Sequence, residues 1–329
     1  MENAPAPARR AYEPPTAKIP DAPNPPGKWV PQYTRDMSKY VVPGLDGFAR
    51  TETFVRATTH AKVLDDSTAL TKWQLRGTVL GLARNPELLD SLELSGADHI
   101  NELDFKAKLA LSAVGNAAMR RVGGDDGSDF GTKLHGYVEA LIEGVITFAE
   151  VPVMFQPYLT VLFAAVRRER LNFVRGMTER TVFIPATGMV GTFDFLLLTA
   201  NGELIIGDLK TSSSIDYSWL AIGVQLAQYA DATMMLSWDG SRWEQMPAVS
   251  KVYGAVVAVP KDEPSPIARI YYVDLALGAE LVDIATRVQG IHETARRVAS
   301  SAEMRRPGDE LIAWAAGDPV TMADAATML

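Results

Sequence analysis

Two apolar runs on either side of a tight turn are the clearest pattern in the chain. Met189-Val190-Gly191-Thr192-Phe193-Asp194-Phe195-Leu196-Leu197-Leu198 is β-branched, aromatic and apolar. Asn201-Gly202 then supplies a hairpin signal, and Leu204-Ile205-Ile206-Gly207-Asp208-Leu209-Lys210 reads as the return strand. Elsewhere the period becomes helical. Ser67-Thr68 opens one helix with a capping signal, and residues 101–122 carry Ala, Leu and Lys at helical spacing. Ser128-Asp129 reads as the N-cap of a helix over 130–142 that Gly144 stops. Residues 151–166 are uncharged, but Pro152 and Pro157 interrupt them and they fall short of a membrane span of about 20 residues, so they predict a buried helix. Residues 217–236 predict a further helix, 251–259 and 267–275 two more strands, and 278–301 an amphipathic helix. No internal repeat occurs. The order predicts an α/β (α+β) fold: a mixed central sheet flanked by helices, with the meander 181–210 at its centre.

Three charged residues sit on these apolar strands. Side chains alternate across a strand, so Asp208 and Lys210 share a face while Leu209 takes the other. A carboxylate on an apolar strand is costly to bury without a compensating cation, and Asp194 brought beside Asp208 adds repulsion. A divalent metal resolves both, and carboxylate oxygens suit Mg²⁺ or Mn²⁺, which polarise phosphoryl oxygens and acidify water. Lys210 could orient that water or offset phosphate charge. A buried Asp–Lys salt bridge would explain an isolated D-x-K equally well. A lone helical histidine is more often a surface or hydrogen-bonded core residue than a ligand, and His60, His99 and His292 are read that way.

The wider pattern resembles the PD-(D/E)xK nuclease superfamily, in its RecB-type exonuclease branch. Gly131-Thr132-Lys133-Leu134-His135, Glu179, Gly191-Thr192-Phe193-Asp194, Asp208-Leu209-Lys210 and Gln225-Leu226-Ala227-Gln228-Tyr229 follow one another in that family's order. Each piece alone is weak; five in sequence over about a hundred residues are much less likely to coincide. The resemblance implies a restriction-endonuclease-like fold preceded by a helical region. It implies that His135, Asp194, Asp208 and the backbone carbonyl of Leu209 are metal ligands and that Lys210 is the catalytic lysine. Glu179 matches an acidic residue whose role varies. Gln225 and Tyr229, one helical turn apart, would turn toward the active site and nucleic acid. The imidazole ligand favours Mn²⁺ beside Mg²⁺. Phe193 stands where the branch commonly has proline, and Asp208 where it more often has glutamate. The chain has no cysteine, which excludes the iron-sulfur cluster of some relatives, and no G-x-x-x-x-G-K-[ST] motor motif.

The implied activity is metal-dependent hydrolysis of DNA phosphodiester bonds by an exonuclease working at double-strand ends, single strands not being excluded. Two alternatives stay open: a structure-specific or restriction-like endonuclease on the same core, and a noncatalytic DNA-binding or assembly module. Relatives in phage genomes commonly work with a single-strand annealing partner, and some form rings of several copies.

Composition adjusts this picture at a few points. The 329 residues, 47% hydrophobic, suffice for a full core. A net charge of −8 argues against tight nonspecific DNA binding, so a local basic track is expected instead. Its candidates are Arg167, Arg168, Arg170 and Arg175, with the pair Arg120-Arg121. Nine of the 20 prolines fall within residues 1–31, predicting a disordered or extended arm. Residues 32–123 then read as a mainly helical region, 124–301 as the nuclease core and 302–329 as a tail. No secretory signal or membrane span is evident, and the absence of cysteine fits the cytoplasm, that of an infected host if the gene is a phage's.

Overall fold

The computed structural model describes residues 19–45, 50–90, 92, 96–212, 215, 218–263 and 265–300. The expected tail 302–329 and the first part of the arm lie outside them.

The chain is mixed α/β, built on a seven-stranded sheet. Its centre is the expected meander: β4 (Asn172–Ile184), β5 (Met189–Leu198) and β6 (Leu204–Lys210) pair antiparallel. On one side β9 (Tyr253–Ala258) joins β6 in parallel, from Gly207↔Ala255 to Lys210↔Ala258, and β10 (Arg269–Asp274) pairs antiparallel with β9. On the other, β7 (Met234–Leu236) pairs with β4 and β8 (Trp243–Gln245) with β7.

Alternation along the strands gives the sheet two apolar faces. Phe195, Leu197, Ile205 and Leu209 pack against α4 (Asp126–Ile142) and α5 (Gln156–Arg168). Phe193, Leu196, Ile206 and Val256 pack against α6 (Trp219–Ala230) and α7 (Leu275–Ser300). Each fully buried Leu, Ile or Phe is worth about 1.5–3 kcal/mol of transfer free energy, so together these faces dominate the fold. Two glycines of the recognised motifs have steric reasons. A Cβ at Gly191 would lie 2.3 Å from the Tyr229 ring, and one at Gly131 would lie 2.6 Å from Thr211 Oγ1. They let α6 and α4 close onto the sheet.

A separate three-stranded sheet, β1 (Gln32–Tyr33), β2 (Lys39–Pro43) and β3 (Thr51–Val55), lies before the helices and was not foreseen. It docks through Tyr40, whose hydroxyl donates to Thr192 Oγ1 at 3.0 Å. After α1 (Ala57–Ala61) come α2 (Thr68–Arg84) and α3 (Phe105–Arg121), packed as a hairpin.

Several boundaries differ from expectation. Ser67 gives α2 no side-chain cap; Asp66 Oδ1 accepts the Thr68 N–H instead, at 2.9 Å. Helix α3 begins only at Phe105, where Asp104 accepts from the Ala107 N–H at 2.7 Å. Helix α4 begins at Asp126, so Ser128 lies inside it and its hydroxyl donates to the Asp125 carbonyl. The helix expected over 217–236 stops at Ala230, because Met234–Leu236 finds ladder partners on β4; a three-residue apolar run has no period to announce that choice.

The described part of the proline-rich arm is extended, and it is docked rather than free. Residues 19–31 are held to the body by named contacts. Tyr137 donates to the Pro20 carbonyl, Trp238 Nε1 donates to the Pro26 carbonyl, and the Trp29 N–H donates to the Trp238 carbonyl. Asp21 pairs with Lys133 and Lys28 with Glu139. Ile19 and Ala22 pack on the α4–α5 core. Among the described residues no helix is long and apolar enough to cross a membrane.

Candidate metal centre

The site lies where β5 and β6 part. Their ladder ends at Phe195↔Gly207, and the next free donor, the Leu209 N–H, is taken at 2.6 Å by Asp194 Oδ2. From the neighbouring strand comes Glu179, between the pairs Thr178↔Phe195 and Arg180↔Phe193. A register shift between Phe173 and Thr178 precedes it, and Glu179 itself has φ 46°, the left-handed region that L residues rarely enter. The bulge is pinned from α4: Glu143 accepts from the Gly176 N–H and, at 2.6 Å, from the Thr178 hydroxyl. Arg180 bridges the Gly176 and Leu236 carbonyls, 2.6 Å from each.

His135 arrives from α4 on the other side. Its Nε2 donates to the Leu209 carbonyl at 3.1 Å, and its Nδ1 lies 3.5 Å from both Glu179 Oε1 and Asp194 Oδ2. One potential ligand atom from each of His135, Glu179 and Asp194 falls within 4.8 Å of the others.

Asp208, expected among the ligands, is placed differently. It continues the Ile206 side of β6, which α6 covers, and it is 3% exposed. Lys210 Nζ sits 2.8 Å from its Oδ1 and 2.7 Å from its Oδ2, and Gln225 Nε2 donates to Oδ1 at 3.2 Å. Only Oδ1 receives well-aligned bonds; Oδ2 has a cation beside it but no aligned donor. Glu179, His135 and Asp194 thus bring ligand-type atoms to one point, while Asp208 pairs with the lysine beside them.

The electrostatics follow from crowding. Burial works to lower the pKa of His135, but Asp194, Glu179 and Asp208 outweigh it and hold the imidazole up to about 9. Burial raises Asp194, and the Glu179 charge adds to this. Burial likewise raises Asp208. For Lys210 burial pulls downward, yet Asp208 and Asp194 raise the ammonium above its usual value. Lys210 is accordingly a fixed cation at neutral pH rather than a base.

These residues fit a divalent cation. Hard oxygens and one imidazole are the donor set of Mg²⁺ and still more of Mn²⁺. The carboxylates of Glu179, Asp194 and Asp208, when ionised, face Lys210 and the protonated His135; once the imidazole gives up its proton to serve as a ligand, the excess is two negative charges, which a divalent ion would cancel. The Leu209 carbonyl, expected as a further ligand, bonds instead to His135 Nε2, the ring nitrogen opposite the one that faces the carboxylates.

The group opens into a cleft of about 830 Å³ lined by His135, Glu179, Asp194, Leu209 and Lys210 on one side and by Asn24, Lys28, Trp29 and Pro31 of the arm on the other. Lys28 pairs with Glu139, one helical turn beyond His135. Neither Lys28, Glu139 nor Glu143 was singled out from sequence. The spacing of Glu139 four residues after His135 was the one available signal.

Tyr229 and the arginines after α5 do not line the cleft. Tyr229 shares a helix face with Gln225 but is 1% exposed in the core, its hydroxyl without a partner. Arg167 and Arg168 line a different groove, with Phe148 and Phe163. Arg170 follows them in the turn into β4, and Arg175 lies against Gly144. None of the four lines the cleft.

No protein-family model and no curated protein matches this sequence. Among solved structures, that of SSO0001 is similar over 52% of this chain and 70% of its own, at 17% identity and a TM-score of 0.22, too low a score to carry an argument.

Proposed function

We propose that the protein is a metal-dependent deoxyribonuclease with a PD-(D/E)xK-type core, acting as a RecB-like exonuclease at DNA ends. The observation that carries this reading is the convergence of His135, Glu179 and Asp194 on one point, with Lys210 held beside them by Asp208, in an open cleft.

His135, Glu179 and Asp194 would hold Mg²⁺ or Mn²⁺, which when bound polarises a phosphoryl oxygen and acidifies water. To serve as a ligand His135 would have to give up the proton that the carboxylates keep on it. Lys210 presents its ammonium to the cleft and offsets the negative charge that builds on the phosphate during in-line attack. Asp208 and Gln225 fix that lysine in place before substrate arrives.

The test is incubation of the protein with linear and with covalently closed circular duplex DNA, in Mg²⁺, Mn²⁺ or chelator, beside Glu179→Gln and Asp194→Asn. Metal-dependent loss of the linear form alone, abolished in both variants, supports the exonuclease. Cutting of the circle supports the endonuclease instead, and a folded protein inert on both speaks for a noncatalytic DNA-binding module.

A further inference from the structure

The α2–α3 hairpin packs chiefly helix on helix, with Gly81 close against Ala118 and Gly77 against Met119. The two helices hold seven basic residues and no acidic one, in a chain of net charge −8. The segment joining them is acidic: Glu87, Asp90, Asp98, Glu102 and Asp104 are all exposed. The antiparallel register sets Arg76 level with Arg120 and Arg121 at the base of the hairpin, and Lys72 lies one turn below Arg76 on the same face of α2. All four are exposed, and Trp73 beside them is 49% exposed. This base adjoins the cleft. Lys62, shortly before α2, and Gly127 and Ser128, shortly after α3, line it.

We propose that the base of the hairpin holds a short single-stranded segment of nucleic acid beside the cleft. Lys72, Arg76, Arg120 and Arg121 meet its phosphates, and Trp73 stacks on an unpaired base. The inference rests on the nuclease reading for what enters the cleft, and it replaces the arginines after α5 as the basic track. Four exposed cations, against the exposed Asp66, Asp125 and Asp126 at the same end, suit phosphates, and an exposed indole among them offers what an unstacked base needs. A duplex lying along the hairpin, about 25 Å for 17 residues at 1.5 Å each, would bring its backbone against the acidic tip. A strand of a few nucleotides crossing the base avoids it.

The experiment uses the full chain in chelator, so that nothing is cut, with a labelled 12-nucleotide strand and a 12-base-pair duplex read by fluorescence anisotropy over a range of salt. Lys72→Glu/Arg76→Glu and Arg120→Glu/Arg121→Glu are each expected to weaken strand binding at least about tenfold and to flatten the log–log salt slope by about 0.7 per lost contact. Trp73→Ala is expected to cost roughly tenfold on the strand and little on the duplex. Melting curves check folding, with the milder Gln substitutions in reserve. Wild-type affinity and slope in these variants would overturn the proposal. So would loss of binding to phosphatidylserine vesicles with strand binding intact, which would assign the patch to an anionic membrane surface. Strand binding by a wild-type protein that hydrolyses nothing would sink the nuclease reading alone; hydrolysis with unchanged binding in the variants would sink the hairpin track alone.

Discussion

Glu179 stands across the β4–β5 ladder from Asp194, their ligand oxygens within 4.8 Å, and it does so in a left-handed backbone conformation. Left-handed φ costs an L residue about 1–2 kcal/mol, and the two carboxylates repel. Glu179→Gly relieves both but gives up the contact with the protonated His135, so the metal-free Tm should shift by no more than about a degree or two. The same variant should lose the stabilisation that Mn²⁺ gives the wild type. Thermal melts in chelator and in Mn²⁺ read both effects. A Mn²⁺ shift that persists in the variant removes Glu179 from the ligand set.

Lys210 and Asp208 separate structure from chemistry. Removing the lysine leaves a 3%-exposed carboxylate uncompensated. Because the lysine side chain is itself 28% exposed, the cost falls at the low end for a broken buried pair, about 3 kcal/mol. Lys210→Ala should therefore unfold at lower denaturant, and adding Asp208→Asn should restore most of the loss while hydrolysis stays abolished. If the double variant is no more stable than Lys210→Ala, the pair is not what holds this edge of the sheet.

Sequence patterning reached the meander, the parallel strand β9 and the helices that cover them, because those segments carry long runs with one period. It also singled out His135, Asp194, Asp208 and Lys210, which the fold brings near one another. It did not tell which of them gather at one point with Glu179 and which pair with the lysine. That division depends on which side of β6 each helix covers, and on a bulge at Gly176–Glu179 created by Glu143 from a distant helix. The small sheet β1–β3 was missed because its strands are two to five residues long, too short to show a period. Proline content signals an extended chain, as residues 19–31 are, but not that partners such as Tyr137 and Trp238 bind it.

Docking of residues 19–31 has a measurable consequence. Lys28 and Glu139 are nearly buried, with side-chain exposures of 8% and 12%, and burial raises the Glu139 pKa. Removing residues 1–31 should lower Tm, and the full chain should show protected backbone amides at Lys28 and Trp29, whose N–H groups donate to Pro25 and Trp238 carbonyls. Hydrogen exchange at these two positions as fast as in an unfolded peptide would show the arm to be free.

A second titration lies away from the cleft. His60 is 1% exposed on α1, with Nε2 beside the Thr286 hydroxyl of α7 at 3.1 Å and Nδ1 without a partner. Burial lowers its pKa below the ordinary 6.5, and a bond with Gln228 only partly offsets this. The unfolded chain thus binds a proton more readily than the folded one. Above about pH 6.5 neither form is charged and His60 is neutral to stability. As pH falls below 6.5, stability drops until the folded-state pKa is passed, and then levels. Denaturant titrations between pH 5 and 8 on wild type and His60→Leu should show this slope in the first and its absence in the second. An unchanged slope in the variant assigns the acid sensitivity elsewhere.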